Sequence, residues 1–436
     1  MLPLLTTPEM RAADAAEVAR RGQDALVRDA GTAVALVAQA MLGSPYGAHV
    51  GVVVGPGLNG ADGRVAAARL AARGAKVRVY EVANQPGRLT GCDLVIDAAF
   101  GLGCSRAYDA PEVRDAPVLA VDLPSGVDAD TGRVLGSPAP ATVTLALGAL
   151  KFAHVSGEAA ALCGEVRLAR LSIPCESPSG LVEDADLVAL TRRERDEHKW
   201  RHALGVLAGS DLMPGAASLV AAGALAGGAT MIRLSGRGDP TRWDLPVEVV
   251  RVAEGALDPR ARALVAGPGL GPGAGDWLAP LLATLSVPVV LDADALDPAL
   301  LARREPGAVW VLTPHDGEFA RLSGHAPGAD RVRAARELAA SCGCVVLLKG
   351  PTTVVASPEG PVRVVTSGTA SLASAGSGDV LAGLIGALLA RGRDALSAAS
   401  LAAHLHGRAG SRLEAFSGSS SLPGAVRATL VELARR

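Results

Sequence analysis

Aromatic side chains and net charge are both scarce in this chain of 436 residues. Phenylalanine, tryptophan and tyrosine together make up 3% of it, and its formal net charge at pH 7 is −2. Proteins that bind nucleic acid usually combine a basic surface with aromatic side chains on which bases stack. The composition therefore argues against nucleic acid as a partner.

Paired cysteines and an unbroken membrane span are also lacking. The six cysteines show no C-x-x-C spacing, and no secretory signal precedes residue 10. Both features indicate a reducing environment, so we expect a cytoplasmic protein. The two long uncharged stretches, residues 30–61 and 212–232, are interrupted by glycine and proline. We therefore expect no membrane-spanning segment.

Lysine is rare, because 38 of the 42 basic residues are arginine. The four lysines are Lys76, Lys151, Lys199 and Lys349. Where arginine replaces lysine so freely, a remaining lysine is a candidate for a site that needs a compact ammonium group. Lys76 opens a predicted strand and is interpreted as an ordinary surface residue. A Walker A lysine motif is absent, so a phosphate site would have to be built from other loops.

The residues that are abundant form alternating strand and helix patterns, and 49% of the chain is hydrophobic. The pattern runs through the first part, pauses at a stretch with two prolines and two serines (174–180), and then restarts. Such alternation predicts parallel sheets covered by helices. We predict an α/β protein of two domains, residues 1–178 and 179–436. Strands are expected at 50–54, 77–82, 94–98, 118–121, 142–147, 205–209, 230–234, 264–266, 287–292, 309–312 and 345–348, and helices at 8–40, 64–73 and 217–226.

The most informative motif is Gly376-Ser377-Gly378-Asp379, which leads directly into an apolar helix. Glycine allows consecutive backbone N–H groups to converge on phosphate oxygens, and the helix N-terminus adds partial positive charge. Asp379 would repel a phosphate there unless it takes part in chemistry, such as accepting a proton from a hydroxyl that attacks the phosphoryl group. The simpler interpretation is that Asp379 caps the helix.

A second motif, 55–60, reads Gly-Pro-Gly-Leu-Asn-Gly and matches G-x-G-x-x-G between a strand and a helix. Glu81 follows about twenty residues later, as a Rossmann dinucleotide site requires. However, Asp62 stands where the pyrophosphate would bind and would repel it. The plain Rossmann interpretation is therefore the weaker one.

Aspartates also stand at the carboxyl ends of two further predicted strands, at Asp97 and Asp122. Asn59, Asp97 and Ser125 offer hard oxygen atoms to a cation, while Asp62 and Asp122 remain available for substrate or proton transfer. Each aspartate alone could simply cap a helix or turn. Together they favour a site.

With these motifs, residues 8–175 resemble the NAD(P)H-hydrate epimerase domain. The resemblance implies a Rossmann-like three-layer domain with potassium held by Asn59, Asp97 and Ser125, and Asp122 as the acid/base. It implies substrate contacts from Leu58, Asn59, Gly60, Ala61, Asp62, Gly101, Leu102, Gly103, Cys104, Ser105, Arg106, Ala107 and Asp122. The family usually has asparagine at the position of Leu58 and glycine at that of Ala61, so weaker substrate binding is expected.

The second half carries several loops of small and polar residues. They are His198-Lys199, 205–210, 213–217, 267–271, 291–296, Pro314-His315-Asp316-Gly317-Glu318 and Lys349-Gly350-Pro351-Thr352-Thr353. A lysine at a strand end beside glycine and threonine can meet phosphate oxygens as a point charge. Each piece also has a plainer interpretation, with His315 in a turn, Glu318 in a helix first turn, and Asp292 and Asp294 as caps.

Together and in this order, these loops resemble the ADP- or ATP-dependent NAD(P)H-hydrate dehydratase domain, over residues 184–436. That domain is related to ribokinase-like sugar and vitamin kinases. The resemblance implies hydrate contacts from Ala216, Gly269, His315 and the catalytic Asp379. It implies nucleotide contacts from Lys349, Gly350, Pro351, Thr352, Thr353 and Gly378.

The expected protein is thus a bifunctional repair enzyme. It would interconvert the R and S hydrates of NADH and NADPH and dehydrate the S hydrate with ADP and Mg²⁺. A homo-oligomer is expected. One alternative is a vitamin or sugar kinase with an accessory domain, which would release a stable phosphate ester. Another is a nucleotide sensor or scaffold whose first domain is idle.

Overall fold

The computed structural model describes residues 1–192, 195–283 and 285–435. It contains two compact units, Leu2–Gly180 and Leu181–Arg436, and Met1 is grouped with the second. Both units have the predicted α/β architecture with a mainly parallel sheet. The division falls at the end of the stretch 174–180 that the composition marks as a linker.

The first unit has three helices and a series of short and long strands. The helices are α1 (Thr7–Arg21), α2 (Gln23–Leu42) and α3 (Leu58–Ala71). The strands are β1 (Leu2–Leu5), β2 (His49–Val54), β3 (Lys76–Glu81), β4 (Arg88–Leu89), β5 (Leu94–Ala98), β6 (Tyr108–Asp109), β7 (Glu112–Val113), β8 (Val118–Val121), β9 (Gly136–Ser137), β10 (Val143–Leu147), β11 (Leu150–Lys151), β12 (Glu165–Ala169) and, at the boundary, β13 (Gly180–Leu181).

The main sheet of this unit has the strand order β12-β10-β8-β5-β2-β3, and all of its pairs are parallel. The chain leaves β2 toward β3 on one side and returns to β5 on the other. At such a switch the loops after the two central strands diverge and leave a crevice, where ligands bind in sheets of this kind. Asn59 lies in the first turn of α3, after β2, and Asp97 lies near the carboxyl end of β5. Both residues therefore lie at this crevice.

Two helix boundaries in the first unit differ from the prediction. The stretch 8–40 forms two helices rather than one, because Gly22 has a φ of 84° between them. Helix α3 begins at Leu58 instead of Arg64. Its glycines suggest a loop, but a Cβ on Gly60 would lie only 2.0 Å from the Gly55 carbonyl oxygen. Glycine is required by this close approach, not by a loop conformation.

Helix α2 is long and apolar enough to cross a membrane, by length and composition only, although the sequence predicts no membrane-spanning segment. A core helix can pass the same test. Val34, Ala35 and Ala38 of α2 are buried in the core of the first unit together with residues of the central strands. This packing accounts for the apolar face of the helix.

The second unit has nine helices and nine strands in its described part. The helices are α4 (Asp184–Leu187), α5 (Pro214–Ala226), α6 (Ala274–Leu282), α7 (Pro298–Leu301), α8 (Asp316–Ser323), α9 (Arg331–Cys342), α10 (Ser377–Ala390), α11 (Ala395–Gly410) and α12 (Leu422–Leu433). The strands are β14 (Ala203–Ser210), β15 (Met231–Arg237), β16 (Val249–Arg251), β17 (Ala263–Ala266), β18 (Val289–Leu291), β19 (Trp310–Leu312), β20 (Val345–Leu348), β21 (Thr353–Ala356) and β22 (Val362–Val365).

The sheet of the second unit runs β22-β21-β20-β19-β18-β17-β14-β15-β16. The strands from β14 to β20 pair in parallel, whereas β21 and β22 form an antiparallel edge. The carboxyl ends of the parallel strands therefore share one edge, where the loops predicted to bind ligand follow them.

Helices α5 and α10 pack with their backbones in close contact. A Cβ on Gly223 of α5 would lie 2.4 Å from the Val380 carbonyl oxygen, and one on Gly383 of α10 would lie 2.1 Å from that of Val220. Small residues at the crossing let the two backbones touch. The first turn of α10, which carries Asp379, is held against the core by this packing.

Candidate active sites

The first unit contains a cavity of about 440 Å³ at the carboxyl ends of its central strands, covered by residues of α1 and α2. The residues that line it include eight of the predicted site residues: Leu58, Asn59, Asp62, Gly101, Leu102, Gly103, Cys104 and Asp122. Its apolar wall includes Met10, Val18, Leu26, Val27, Leu171 and Ile173. A cavity of this size with few polar groups suits a small-molecule ligand.

Asp122 lies directly after β8 and is 6% exposed. Its Oδ1 atom accepts hydrogen bonds from Lys151 Nζ at 2.5 Å and from the Leu147 backbone N–H at 3.1 Å. The Lys151 side chain is 1% exposed, so this is a buried ion pair. The carboxylate of Asp122 therefore has a fixed orientation in the cavity wall.

Asp62, in α3, is the second buried carboxylate of the cavity, with 6% exposure. Burial raises the pKa of Asp62 to about 8, and the charges of Asp122 and Asp14 add to the shift. Asp14 of α1 also lines the cavity, and burial raises its pKa. Three carboxyl groups thus share one site, and the site favours retaining a proton on Asp62.

Asp97 and Ser125 are hydrogen-bonded to each other. Ser125 donates from its hydroxyl to Asp97 Oδ1 at 2.6 Å and from its backbone N–H to Oδ2 at 2.8 Å. Burial raises the pKa of Asp97, against the hydrogen bonds from Ser125 and Ala99. Asn59 Oδ1 and Asp122 Oδ2 would both lie within 3.4 Å of a Cβ placed on Gly101. Ser125 exchanges hydrogen bonds with the backbone of Phe100, which precedes Gly101, so Asn59 lies beside the loop to which Ser125 and Asp97 are bound.

These residues fit a monovalent cation by their chemistry. Amide, carboxylate and hydroxyl oxygens are hard donors. Within residues 1–192, 195–283 and 285–435 no basic side chain pairs with Asp97, and the buried Asn59 Nδ2 has no hydrogen-bond partner. In the same ranges no group of three or more His, Cys, Asp or Glu side chains could hold a metal ion. A cation here would depend on mixed oxygen donors.

Some predicted substrate contacts do not line the cavity, namely Gly60, Ala61, Ser105, Arg106 and Ala107. Ala61 lies inside α3, so its backbone is right-handed and its Cβ is tolerated there. Leu58 begins the same helix and is 51% exposed. Its side chain faces the cavity where the family usually has an amide.

The G-x-G-x-x-G segment does not provide a free ribose-binding acid. Glu81 pairs instead with Arg64, whose Nη2 atom lies 2.7 Å from Glu81 Oε2. Asp62, two residues after the segment, lines the cavity. These contacts disfavour the plain Rossmann interpretation.

In the second unit, Asp379 occupies the third position of α10. The N-cap residue is Gly376, with a φ of 88°, and no side chain caps the helix. The interpretation of Asp379 as a simple cap is therefore wrong. Burial raises the pKa of Asp379 to about 7; the charges of Asp292 and Asp294 also raise it, while Lys349 lowers it.

Lys349 follows β20 and lies beside the start of α10. Its Nζ atom is 3.0 Å from Asp292 Oδ1 and 3.6 Å from Glu318 Oε2. A Cβ on Gly378 would lie 3.6 Å from the same Nζ. Burial alone would lower the pKa of Lys349, but the charges of Asp292 and Glu318 outweigh it and raise the pKa. A half-buried ammonium therefore lies beside the first turn of α10.

The plainer interpretations of Asp292, Asp294 and His315 differ in how well they agree with the structure. The Asp292 carboxylate accepts the Thr313 hydroxyl at 2.7 Å and makes no cap. Asp294 accepts from the Gly271 N–H at 2.9 Å and links two loops. His315 is the N-cap of α8, and its backbone N–H donates to Glu318 Oε2 at 2.8 Å, so the plainer interpretation of His315 is confirmed.

Ala216 and Gly269 meet at the same edge of the sheet. Gly269 has a φ of 68°, and a Cβ there would lie 2.7 Å from the Ala216 Cβ. A Cβ on Gly376 would lie 2.3 Å from Leu219 Cδ1, one turn along α5 from Ala216. The loops before α5 and α10 are therefore adjacent.

The predicted nucleotide segment, 349–353, turns from β20 into β21. Arg331 Nη2 donates to the Lys349 carbonyl at 2.6 Å, and Arg331 Nη1 pairs with Asp316 at 2.8 Å. A Cβ on Gly350 would lie 2.8 Å from Arg331 Nη2. Thr353 begins β21 and donates from its hydroxyl to the Gly350 carbonyl at 3.3 Å. Arg331 thus holds the turn.

Sequence reasoning missed Asp14, Arg331 and His406 as parts of these sites. His406 of α11 hydrogen-bonds to the Ser377 backbone, and burial lowers its pKa to about 4. Its Nε2 atom has no partner among the described residues. None of the three stands in a recognisable motif. Lys151 is one of the rare lysines that the sequence marks as candidates for a site, and the structure places it against Asp122.

Two family profiles match the chain in the order of the two units. A family described as YjeF-related protein N-terminus matches residues 23–89 and 81–153. A family described as NAD(P)H-hydrate dehydratase matches residues 204–431.

Curated relatives extend over both units. A bifunctional NAD(P)H-hydrate repair enzyme from Mycobacterium tuberculosis is 38% identical over 425 residues, covering 88% of each chain. One from Thermofilum pendens is 33% identical and covers 91% of this chain and 89% of its own.

Solved structures resemble the second unit. The ADP/ATP-dependent NAD(P)H-hydrate dehydratase from Bacillus subtilis, co-crystallised with ATP/Mg²⁺, is 29% identical, with a TM-score of 0.54, over 58% of this chain and 99% of its own. A ribokinase-like superfamily protein from Enterococcus faecalis is 21% identical with a TM-score of 0.54, over 60% of this chain and 98% of its own.

The protein is accordingly a two-domain α/β enzyme whose second domain has the ribokinase-like fold. The chain belongs to the family of bifunctional NAD(P)H-hydrate repair enzymes. The resemblance inferred from the motifs is confirmed for both halves.

Proposed function

We propose that the first unit interconverts the R and S hydrates of NADH and NADPH, and that the second dehydrates the S hydrate with ADP to give NAD(P)H, AMP and phosphate. The observation that carries the proposal is the placement of Asp379 and Lys349 at the start of α10, where the charge of Lys349 acts on the Asp379 carboxyl group. A half-buried acid without a capping role near a half-buried ammonium suits transfer of a phosphoryl group to a hydroxyl.

In the dehydration, Asp379 accepts the proton of the ring hydroxyl as its oxygen attacks the terminal phosphoryl group of ADP. Hydroxide is a poor leaving group, whereas phosphate is a good one. The lone pair of the ring nitrogen then expels phosphate and leaves an iminium cation. The adjacent ring carbon loses a proton to solvent, and the electrons of that C–H bond form the ring double bond. Lys349 stabilises the charge that develops on the phosphoryl oxygens. Magnesium, which accompanies ATP in the Bacillus structure, neutralises the nucleotide phosphates.

The remaining predicted residues of the second unit divide between two ligands. Ala216, Gly269 and His315 would contact the hydrated nicotinamide nucleotide. The segment 349–353 and Gly378 would hold the adenine nucleotide. This division is supported by the ammonium of Lys349, which lies next to Gly378, and by the backbone approach that glycine permits.

In the epimerisation, Asp122 acts as the acid/base on the hydrated ring. Substrate contacts come from the cavity wall, from residues 58–62 and from residues 101–107. Asn59, Asp97 and Ser125 would hold potassium. A potassium ion held by these oxygens would supply positive charge at the site. Ser125, one of the proposed ligands, accepts a hydrogen bond from the Phe100 backbone N–H at 2.8 Å and so ties the ligand set to the start of the substrate loop.

The direct test uses the full chain with a mixture of both hydrate epimers, ADP, magnesium and potassium, followed by the absorbance of reduced cofactor. Two working units should convert the whole mixture faster than the epimers interconvert spontaneously. A dehydratase with an idle first unit would stop at the S fraction. That stop would favour the sensor or scaffold alternative for the first unit.

The kinase alternative uses the same Asp379 and is separated by the products. A vitamin or sugar kinase accumulates a stable phosphate ester, whereas the proposed reaction accumulates inorganic phosphate and NAD(P)H in equal amounts. Phosphate release without reduced cofactor would contradict the proposal.

We further propose a cytoplasmic homo-oligomer that works on small molecules. All six cysteines are free in the structure, as expected of a reducing compartment. The mass of the full chain in solution, measured by sedimentation, decides the assembly state.

The pH dependence of dehydration should report Asp379. A base works only when deprotonated, and burial raises the pKa of Asp379 to about 7. The kcat/KM for the S hydrate, which reports the free enzyme, should therefore rise as pH increases through about 7 and level off above it. A profile that is flat between pH 6 and 8, in a sample that stays folded, would exclude this role.

Leu58→Asn should improve epimerisation. The new amide stands at the start of α3 on the cavity wall and can gain one neutral hydrogen bond to the substrate, worth about 0.5–1.5 kcal/mol or several-fold in KM. The KM for the R hydrate is the quantity to measure. Leu36→Asn is the matched control, since Leu36 is 53% exposed in α2, compared with 51% for Leu58. An equal change in both variants would contradict the assignment.

A further inference from the structure

Asp122 has an unusual backbone conformation. Its φ is 65°, in the left-handed region that residues other than glycine rarely adopt. Aspartate tolerates this region better than most residues, but surrounding contacts must hold it there. The contacts that do so come from one short segment that follows β10.

His154 fixes the main chain of Asp122. The Lys151 backbone N–H donates to His154 Nδ1 at 2.9 Å, so Nδ1 is an acceptor. The Nε2 atom then carries the hydrogen of the neutral ring and donates to the Asp122 carbonyl at 2.6 Å. Burial lowers the pKa of His154 to about 4, and the charge of Lys151 lowers it further, so the ring stays neutral at neutral pH.

Lys151 fixes the side chain of Asp122. Its Nζ atom donates to Asp122 Oδ1 at 2.5 Å and to the Leu147 carbonyl at 2.7 Å. Because the Leu147 N–H donates to the same Oδ1, that oxygen is occupied. The other oxygen, Oδ2, lies 3.4 Å from a Cβ placed on Gly101, a residue of the cavity wall. Oδ2 is therefore the atom that faces the ligand.

We propose that Lys151 and His154 are positioning residues that present Asp122 Oδ2 to the hydrated nicotinamide ring. The inference rests on the proposed epimerase function and extends it to two residues that do not react themselves. The neutral ring of His154 holds the Asp122 main chain at its carbonyl oxygen. The ammonium group of Lys151 holds the Asp122 side chain at Oδ1. Proton transfer then depends on a carboxylate that needs no reorientation.

A purely structural ion pair would behave differently. Buried ion pairs often add little net stability, because the desolvation of both charges offsets their attraction. A structural role would therefore show in folding and not specifically in turnover. The choice of lysine also matters, since arginine is used at 38 other positions. A compact ammonium reaches two acceptors in a space that a planar guanidinium cannot enter without moving them.

The test replaces Lys151 by alanine in the full chain and measures loss of the R hydrate. We expect kcat to fall at least tenfold with a much smaller change in KM. Methylammonium or ethylammonium should restore part of the rate saturably, because a small amine can occupy the vacated ammonium site. Dehydration of pure S hydrate by the same sample reports the second unit and should be unchanged. Lys76→Ala, at the exposed start of β3, is the matched control.

Three further variants test the two positioning residues separately. Lys151→Arg should also lose activity and should not respond to amines. His154→Gln keeps a donor at the position of Nε2 and should retain most of kcat, whereas His154→Leu should not. If Lys151→Ala does not fold, the two His154 variants decide the question.

Three outcomes overturn the inference: normal kcat in Lys151→Ala, a loss confined to KM, or equal activity of the two His154 variants. The proposed function fails separately, when the parent chain itself does not consume the R hydrate.

Discussion

Asp379→Asn is expected to lower ADP-dependent dehydration by roughly a hundredfold or more, while epimerisation and folding remain intact. The substitution keeps the shape of the side chain but removes the proton acceptor at the start of α10. Because the pKa of Asp379 is raised to about 7, the parent has an acceptor near neutral pH that the amide cannot replace. The measurement is the initial rate of NAD(P)H formation from S hydrate, with ADP and magnesium saturating.

The second unit contains a matched control residue for this variant, Asp276. Asp276 occupies the same third position of its helix, α6, but its side chain is 84% exposed and pairs with Arg303. Asp276→Asn should therefore leave both activities unchanged. Turnover of Asp379→Asn within a few-fold of the parent would remove Asp379 from the reaction. Loss of the R hydrate in the same sample shows whether the first unit is still folded.

Asp97→Ala is expected to abolish the potassium dependence of epimerisation together with most of its rate. Asp97 carries the only full charge among the three proposed ligands, and its oxygens also hold the Ser125 loop through three bonds with Ser125 and Ala99. Removing it takes away the ion and loosens the loop beside Asp122. The rate of R hydrate loss is measured against potassium concentration, with sodium keeping the ionic strength constant.

Asp115→Ala is a suitable comparison, because Asp115 is an exposed aspartate of the same unit. It should keep the parent rate and the parent potassium curve. Asp97→Asn separates the two consequences of the alanine variant, since the amide preserves an oxygen and a hydrogen-bonding shape but not the charge. If Asp97→Ala epimerises at the parent rate without potassium, the ion site lies elsewhere.

The central strands of this fold could be predicted because they are buried on both faces. Strands β5, β8 and β20 have the predicted bounds, since continuous apolar runs flanked by turn residues leave little choice of register. The antiparallel strands β21 and β22 were not predicted. They form an antiparallel edge whose pairing is set by the neighbouring β20 and not by a local pattern.

Helix α3 shows where local propensity misleads. Gly60 and Gly63 disfavour a helix by propensity alone, yet both lie inside α3. A Cβ on Gly63 would lie 2.5 Å from the Ala98 Cβ, so glycine lets the helix pack onto β5. The requirement comes from a residue 35 positions away in sequence, which periodicity cannot show.

The sequence by itself determined the class of the protein, the order of its two halves and the motifs that carry Asp62, Asp122 and Asp379. Those features are local, because they depend on which residues follow a strand or open a helix. The tertiary structure decided the protonation and the partners of these groups. Lys151 reaches Asp122 across 29 residues, and Lys349 reaches Asp292 across 57. Such contacts arise only when parallel strands bring their carboxyl ends to one edge, and the burial that shifts the pKa values arises with them.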